Sequence, residues 1–346
     1  FKQKTAYEIR LSLVGSEMCI RDRISGRLER VSKVFDDHLV SDLPPVNQLC
    51  SHIERYRGKM LRPTLVLACG MAAGRVTREH DVLAAVCEMV HMATLVHDDV
   101  LDEADTRRRG ATVNRLKGNE TAVILGDYLI ASAFSLCSTL ADQRYSMAVG
   151  RASAAMCAGE LLQLHRREDF SLDEPTYFEI VERKTAELIA CACELGAAAA
   201  GLDAGSAAVF AGFGRDLGVA FQIQDDLLDL TGDERVVGKS VGKDLEKGKA
   251  TLPVIHCLSV ADSSLRAKVL MLLAGPGGGR RDSSADGASV RNELVAAMRL
   301  TDSINHAQTA AESLVARAKG RLLGVAEGAP KRLLFVMADA AVKRVA

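Results

Sequence analysis

The sequence predicts an all-α fold, and three observations carry that prediction. Proline is absent between Pro63 and Pro175, and again between Pro175 and Pro253. A proline inside a helix costs about 3 kcal/mol, so such Ala- and Leu-rich spans suit long helices. Residues also recur at three-to-four spacing, as in the stripe Leu83, Val86, Cys87, Val90, Thr94, His97 and Leu101, the mark of a buried helix face. Aromatic residues make up only 4% of the chain and Trp is absent, which argues against sandwiches and barrels. No segment alternates as a strand.

In chain order, helices are expected at about residues 24–39, 60–74, 83–101, 120–140, 147–165, 175–200 and 204–230. Others follow at 252–260, 265–273, 290–318 and 330–345. The clearest break is 275–289 (GPGGGRRDSSADGAS), which is rich in Gly, Ser and charge. Too little sequence follows it for a second sizeable core, so a mobile surface loop is expected inside one helical domain spanning 24–346.

The 346 residues are 48% hydrophobic and 26% charged, which supplies a core and excludes global disorder. Forty-four Lys+Arg against forty-five Asp+Glu leave a net charge of -1, without the basic surplus of a nucleic-acid-binding protein. The longest charge-free stretch, 128–141, has fourteen residues, too few to span a bilayer. A soluble, cytoplasmic protein is expected. The nine cysteines are odd in number and lack a C-x-x-C pair, so buried thiols in a reducing compartment are expected rather than disulfides or zinc. Residues 1–23 stand apart. KQKTAYEI (2–9) and LVGSEMCIRD (13–22) resemble the read-through translation of a DNA-sequencing adapter, and they are left out of the fold expectation.

The chemistry lies in the acids. Of three Asp-Asp pairs, Asp36-Asp37 reads as a solvated helix surface. The other two share the pattern Asp-Asp-x-x-Asp: Asp98, Asp99 and Asp102, then Asp225, Asp226 and Asp229. On a helix, residues four apart share a face, so each cluster presents a carboxylate pair one turn apart. Such pairs repel inside apolar surroundings unless a cation neutralises them. Oxygen-only ligands at this spacing suit Mg²⁺ completed by water and phosphate oxygens. Basic residues bracket both clusters: Lys59 and Arg62 upstream, Arg107, Arg108 and Arg109 after the first, and Lys239, Lys243, Lys247 and Lys249 after the second. A divalent metal bounded by fixed cations suits a diphosphate.

With these residues the chain resembles the trans-isoprenyl diphosphate synthase (polyprenyl synthetase) family, from about residue 25 to the end. The resemblance is carried by GKMLRP (58–63), HMATLVHDDVLDEADTRRRG (91–110), GDYL (126–129), GELLQ (159–163), KTA (184–186) and FQIQDDLLDLTGDERVVGKSVGKDLEKGKATLP (221–253). It implies an antiparallel helix bundle around a deep apolar cavity, and a transferase that joins isopentenyl diphosphate to an allylic diphosphate. By motif, Asp98, Asp102 and Asp225 would hold Mg²⁺, three ions per site with diphosphate bound, supported by Asp99, Asp226 and Asp229. Lys59, Arg62, His91 and Arg108 would bind isopentenyl diphosphate. Arg107, Lys184, Lys239 and Lys249 would hold the allylic diphosphate, with Thr185 and Gln222 lining the reaction centre. A homodimer is implied, with peripheral membrane contact for product release. The family's upstream motif carries more glycine than Arg57-Gly58-Lys59, and its arginine run has two members rather than three. Spacing from Asp102 favours Arg107 and Arg108 as the binding pair.

Product length is read from the helix below Asp98. Ala93 lies five residues away, roughly 7.5 Å of depth, with Thr94 beside it. Family members that make short products close the cavity near here with bulky aromatics. Two small residues predict a long product of six or more isoprene units, of the quinone side-chain kind. A farnesyl or geranylgeranyl diphosphate synthase is the nearest alternative. A metal phosphohydrolase would need more histidines than His91 and His97-Asp98 supply. A terpene cyclase would replace the second cluster, and a non-catalytic subunit would be expected to lose one.

Overall fold

The expected helices form, and their ends fall where capping chemistry is available. The computed structural model describes residues 16–107, 110–167, 169–232, 249–274 and 285–343. In chain order the helices are α1 (Ser16–His38), α2 (Pro44–Ile53), α3 (Leu61–Ala72), α4 (Arg78–Leu101), α5 (Val113–Lys117), α6 (Asn119–Cys137), α7 (Gln143–His165) and α8 (Glu174–Val181). Then come α9 (Glu187–Ala199), α10 (Ala204–Thr231), α11 (Leu252–Val260), α12 (Ser263–Ala274), α13 (Ala285–Leu300), α14 (Ser303–Arg321) and α15 (Ala329–Val342). Asp142, Asp173 and Asp203 cap α7, α8 and α10 by accepting from the backbone N–H of Arg144, Thr176 and Ser206. Each such cap satisfies a donor that the first turn leaves open.

The bundle closes around α4 and α10. Helix α4 is buried on nearly every side, through Leu83, Val86, Met89, Val90 and Met92, so its environment is core and not the single stripe expected. Solvent reaches its two ends, where Arg78 and Leu101 are exposed. Helices α9 and α10 are joined by residues 200–203 alone, which makes them antiparallel neighbours. Their close packing needs glycine: a Cβ on Gly214 would sit 2.7 Å from the Ile189 carbonyl oxygen. A smaller apolar cluster around Leu230, Val254, Leu258, Val269, Leu294 and Met298 lies under the C-terminal helices.

Four expectations change. The helix expected over 290–318 is two, α13 and α14, because Asp302 adopts a left-handed conformation (φ 55°). There the Thr301 and Ser303 hydroxyls bond each other at 2.7 Å, a local pairing that competes with helix continuation. The expected loop at 275–289 ends sooner, since α13 starts at Ala285; residues 275–284 lie outside the described residues. A two-residue antiparallel pair, β1 (Thr106–Arg107) with β2 (Gly110–Ala111), appears where no strand was expected. Helix α1 starts at Ser16, eight residues before the expected helix, while residues 1–15 lie outside the described residues.

Helix α6 is long and apolar enough by composition to cross a membrane, although the charge-free stretch within it is not. It packs as a bundle helix through Ala122, Leu125, Leu129 and Ala133, leaving Val123 and Ile124 exposed. Cys50, Cys69, Cys87, Cys137, Cys157, Cys191, Cys193 and Cys257 are free thiols; Cys191 and Cys193 are both buried, which pushes their thiols well above the ordinary value.

Candidate active site

Both acidic clusters sit near the C-terminal end of a long helix. Asp98 and Asp99 end α4, and Asp102 is its C-cap; Asp225, Asp226 and Asp229 lie in the final turns of α10. A helix C-terminus carries partial negative charge, so carboxylates there are disfavoured and a cation is favoured. The α4 terminus is fixed by two backbone bonds, Ala104 N–H to the Asp99 carbonyl (2.9 Å) and Glu103 N–H to the Val100 carbonyl (3.2 Å). That pattern wants glycine at Glu103, which is left-handed at φ 50°. Strain of about 1 kcal/mol is tolerated because neighbours hold the turn: the Asn114 amide donates to the Asp99 and Ala104 carbonyls, both at 3.2 Å.

The second aspartate of each cluster is buried and held. Asp99 is 1% exposed, and Arg107, brought back by the β1–β2 pair, donates to its Oδ1 through Nε and Nη2 at 2.8 Å. Arg107 also lies over the Tyr56 ring, 5.9 Å from its centre. Burial, helped by Asp99, pushes the Tyr56 hydroxyl up to about 12. Asp226 accepts from the Tyr177 hydroxyl at 2.7 Å and from the Gln222 amide at 2.8 Å. By contrast, Asp98 and Asp225 are only half-buried. Tyr177 escaped the sequence reading because nothing local to it signals a partner 49 residues away. Tyr177→Phe is expected to cost about 1–2 kcal/mol of stability by removing that donor, read as a lower thermal midpoint.

A short π-helical turn, Glu182–Ala186, links the clusters between α8 and α9. From it Lys184 reaches Glu160 in an ion pair and lies 4.0 Å from Asp98 Oδ1. The next residue, Thr185, donates to Gln222 Oε1 at 3.0 Å, and Gln222 in turn holds Asp226. Adjacent side chains thus touch Asp98 near the end of α4 and Gln222, one turn before Asp226, on α10. A π turn inserts one extra residue and re-aims side chains. Glycines make room for it on two sides. A Cβ on Gly159 of α7 would lie 2.7 Å from Arg183 Cβ and 2.8 Å from the Lys184 nitrogen, and one on Gly218 of α10 would lie 2.5 Å from Ala186 Cα.

Burial pushes the Asp98 carboxyl up, Lys184 pulls it back, and Glu160 and Asp102 push it up further. Lys249 lies 3.9 Å from Asp102 Oδ1 and lines one cleft with Lys184, Thr185, Gln222 and Asp226. Asp229 is buried nearby on α10. Arg62, in the first turn of α3, is pushed below its ordinary value by burial against the pull of Glu88. Glu88 is ten residues before Asp98, roughly 15 Å along α4. Lys59 precedes the same turn, and His91 is half-buried two turns before Asp98. Ala93 is fully buried; Thr94 is half-buried and its hydroxyl donates to the His91 carbonyl at 2.8 Å. Arg108, Arg109, Lys239, Lys243 and Lys247 lie outside the described residues. Asp36 is more than a solvated surface: it pairs with Arg57, whose guanidinium covers the Phe35 ring at 4.2 Å.

A family model described as polyprenyl synthetase matches residues 44–282. The chain belongs to the polyprenyl synthetase family. All the motifs that bring Lys184, Lys249 and the two acidic clusters together fall inside that match. The octaprenyl diphosphate synthase of Escherichia coli (strain K12) is 36% identical over 228 residues, 66% of this polyprenyl synthetase and 71% of that protein. A short chain isoprenyl diphosphate synthase of Methanothermobacter thermautotrophicus is 31% identical across 92% of this chain and 97% of its own. Among solved structures, a decaprenyl diphosphate synthase from Rhodobacter capsulatus has a TM-score of 0.86 at 30% identity, covering 95% of this chain and 99% of that one. The all-α fold is the one polyprenyl synthases share.

Proposed function

We propose that this polyprenyl synthetase condenses isopentenyl diphosphate with an allylic diphosphate to make a long-chain all-trans product of six or more isoprene units, a quinone side-chain precursor. One observation carries the reading: adjacent on a π turn, Lys184 lies by Asp98 of the first acidic cluster and Thr185 bonds Gln222, which holds Asp226 of the second. Octaprenyl and decaprenyl diphosphate synthases among the relatives support the long product.

The donor set fits Mg²⁺. Its accessible groups are carboxylate oxygens, and among the described residues no three His, Cys, Asp or Glu side chains converge on one ion. An ion that keeps waters and takes diphosphate oxygens suits such a half-built shell. Asp98, Asp102 and Asp225 would hold it, three ions with diphosphate bound, while Asp99, Asp226 and Asp229 brace them. When bound, Mg²⁺ takes up charge as the allylic carbon–oxygen bond breaks.

Lys184, Lys249, Arg107 and Lys239 would hold the leaving diphosphate. Thr185 and Gln222 would orient it, and Lys59, Arg62, His91 and Arg108 would fix isopentenyl diphosphate. The packed helices keep water from the carbocation, which the isopentenyl double bond attacks; a proton then leaves to the departed diphosphate. The exposed apolar residues Val123 and Ile124 of α6 support a homodimer, and a cytoplasmic enzyme that touches the membrane peripherally to release product is consistent with the rest.

Purified protein incubated with Mg²⁺, isopentenyl diphosphate and an allylic primer is expected to yield products of six units or more. Ala93→Phe is expected to shorten them by blocking the path below Asp98. The larger ring costs about 1–3 kcal/mol of overpacking at this fully buried site, so a thermal melt accompanies the assay. An unchanged product distribution from folded variant would defeat the chain-length reading.

A further inference from the structure

The cleft that holds Lys184 and Lys249 is also lined by Gln163, Arg166 and Arg167, from the end of α7 and the turn after it. Its charge is unbalanced. Asp226 is the one acid among the described lining residues, and both its oxygens are taken, by Tyr177 and Gln222. Lys184 and Lys249 have Asp98 and Asp102 at 4.0 and 3.9 Å. Arg166 is paired with Asp169 at 3.0 Å.

Arg167 differs from its neighbours. It is half-buried, lines the cleft, and no described acid or carbonyl takes its guanidinium. Three other half-buried arginines do have such partners: Arg27 holds Asp81, Arg107 holds Asp99, and Arg215 holds Glu182 and Glu187. A guanidinium kept out of bulk water beside two lysines, with hydroxyl and amide groups from Thr185, Thr251 and Gln163 around it, presents a planar fork suited to phosphate oxygens.

Building on the proposed prenyl transfer, we propose that Arg167 is a further binding residue for the diphosphate group of the allylic substrate, and for the inorganic diphosphate left after transfer. It lines the cleft from the turn that follows α7. Gln163, in the last turn of α7, also lines the cleft and brings an amide to it.

Two measurements test this on the full chain: steady-state kinetics, and binding of inorganic diphosphate with Mg²⁺ by titration calorimetry. Arg167→Ala is expected to raise KM for the allylic diphosphate and Kd for inorganic diphosphate roughly tenfold each, the scale of one charge-assisted hydrogen bond. KM for isopentenyl diphosphate is expected to stay within about twofold, since Arg167 is not placed at its site. Arg167→Lys keeps the charge and is expected to recover part of the loss, which guards against a folding artefact. Arg151→Ala, on the exposed side of α7 and paired with Glu194, is expected to change neither constant. Unchanged allylic KM and diphosphate Kd in Arg167→Ala, or equal losses for both substrates, overturn the assignment. Wild-type protein that fails to turn over its substrates would instead overturn the prenyltransfer reading beneath it.

Discussion

Asp98→Ala is expected to lower kcat/KM by about 10³-fold without unfolding the protein. Asp98 is half-buried at the C-terminal end of α4, and burial, Glu160 and Asp102 all push its carboxyl toward the protonated form. Lys184, at 4.0 Å, and Arg107 favour its charge, and Lys184 also has Glu160. In the metal-free protein this carboxylate is therefore a burden on α4 rather than a support. Removing it relieves an i,i+4 repulsion of about 0.2–0.5 kcal/mol, so the thermal midpoint is expected to hold or rise slightly. Lost turnover with an unchanged or raised midpoint separates a functional carboxylate from a structural one. Normal activity in this variant would remove the central role given to the first acidic cluster.

Gly159→Ala is expected to damage both stability and catalysis, although alanine is ordinarily the better helix former. The added Cβ would lie 2.7 Å from Arg183 Cβ and 2.8 Å from the Lys184 backbone nitrogen. Neither is the free end of a flexible side chain, so the π turn itself must move. The expected cost is about 1–3 kcal/mol of overpacking. A shift of about 1 Å in Lys184 and Thr185 is expected to lower kcat on the order of 10²-fold. Gly150→Ala on the same helix is the control. There the nearest atom to an added Cβ is Phe134 Cε1 at 3.9 Å, and stability is expected to rise by up to about 1 kcal/mol. If both variants behave alike in melting and in kcat, the close approach at Gly159 does not position the turn.

The acidic clusters were legible because their signal is local. Asp98 and Asp102, like Asp225 and Asp229, are one helical turn apart, and that spacing is written in adjacent residues. The long helices were legible for the same reason, through proline spacing and apolar period. The break at Asp302 was not, because Thr301 and Ser303 redirect the backbone by hydrogen bonds that an apolar period does not register. Nor was the strand pair at 106–111, which is too short to alternate. The Arg57–Asp36 pair was missed since its members are 21 residues apart.

What the linear order of residues determined by itself is the all-α class, the two carboxylate ledges and the supply of cations, because each follows from spacing within a turn or two. Tertiary structure alone decided which member of each ledge is sequestered. Asp99 goes to Arg107 and Asp226 to Tyr177 and Gln222, leaving Asp98 and Asp225 nearer solvent. It also decided that Lys184 and Thr185 join the two helices, through a turn wedged between Gly159 and Gly218. The physical reason is range: helix periodicity is set by bonds four residues apart, whereas a buried charge takes its partner from whichever helix packing brings within 3 Å.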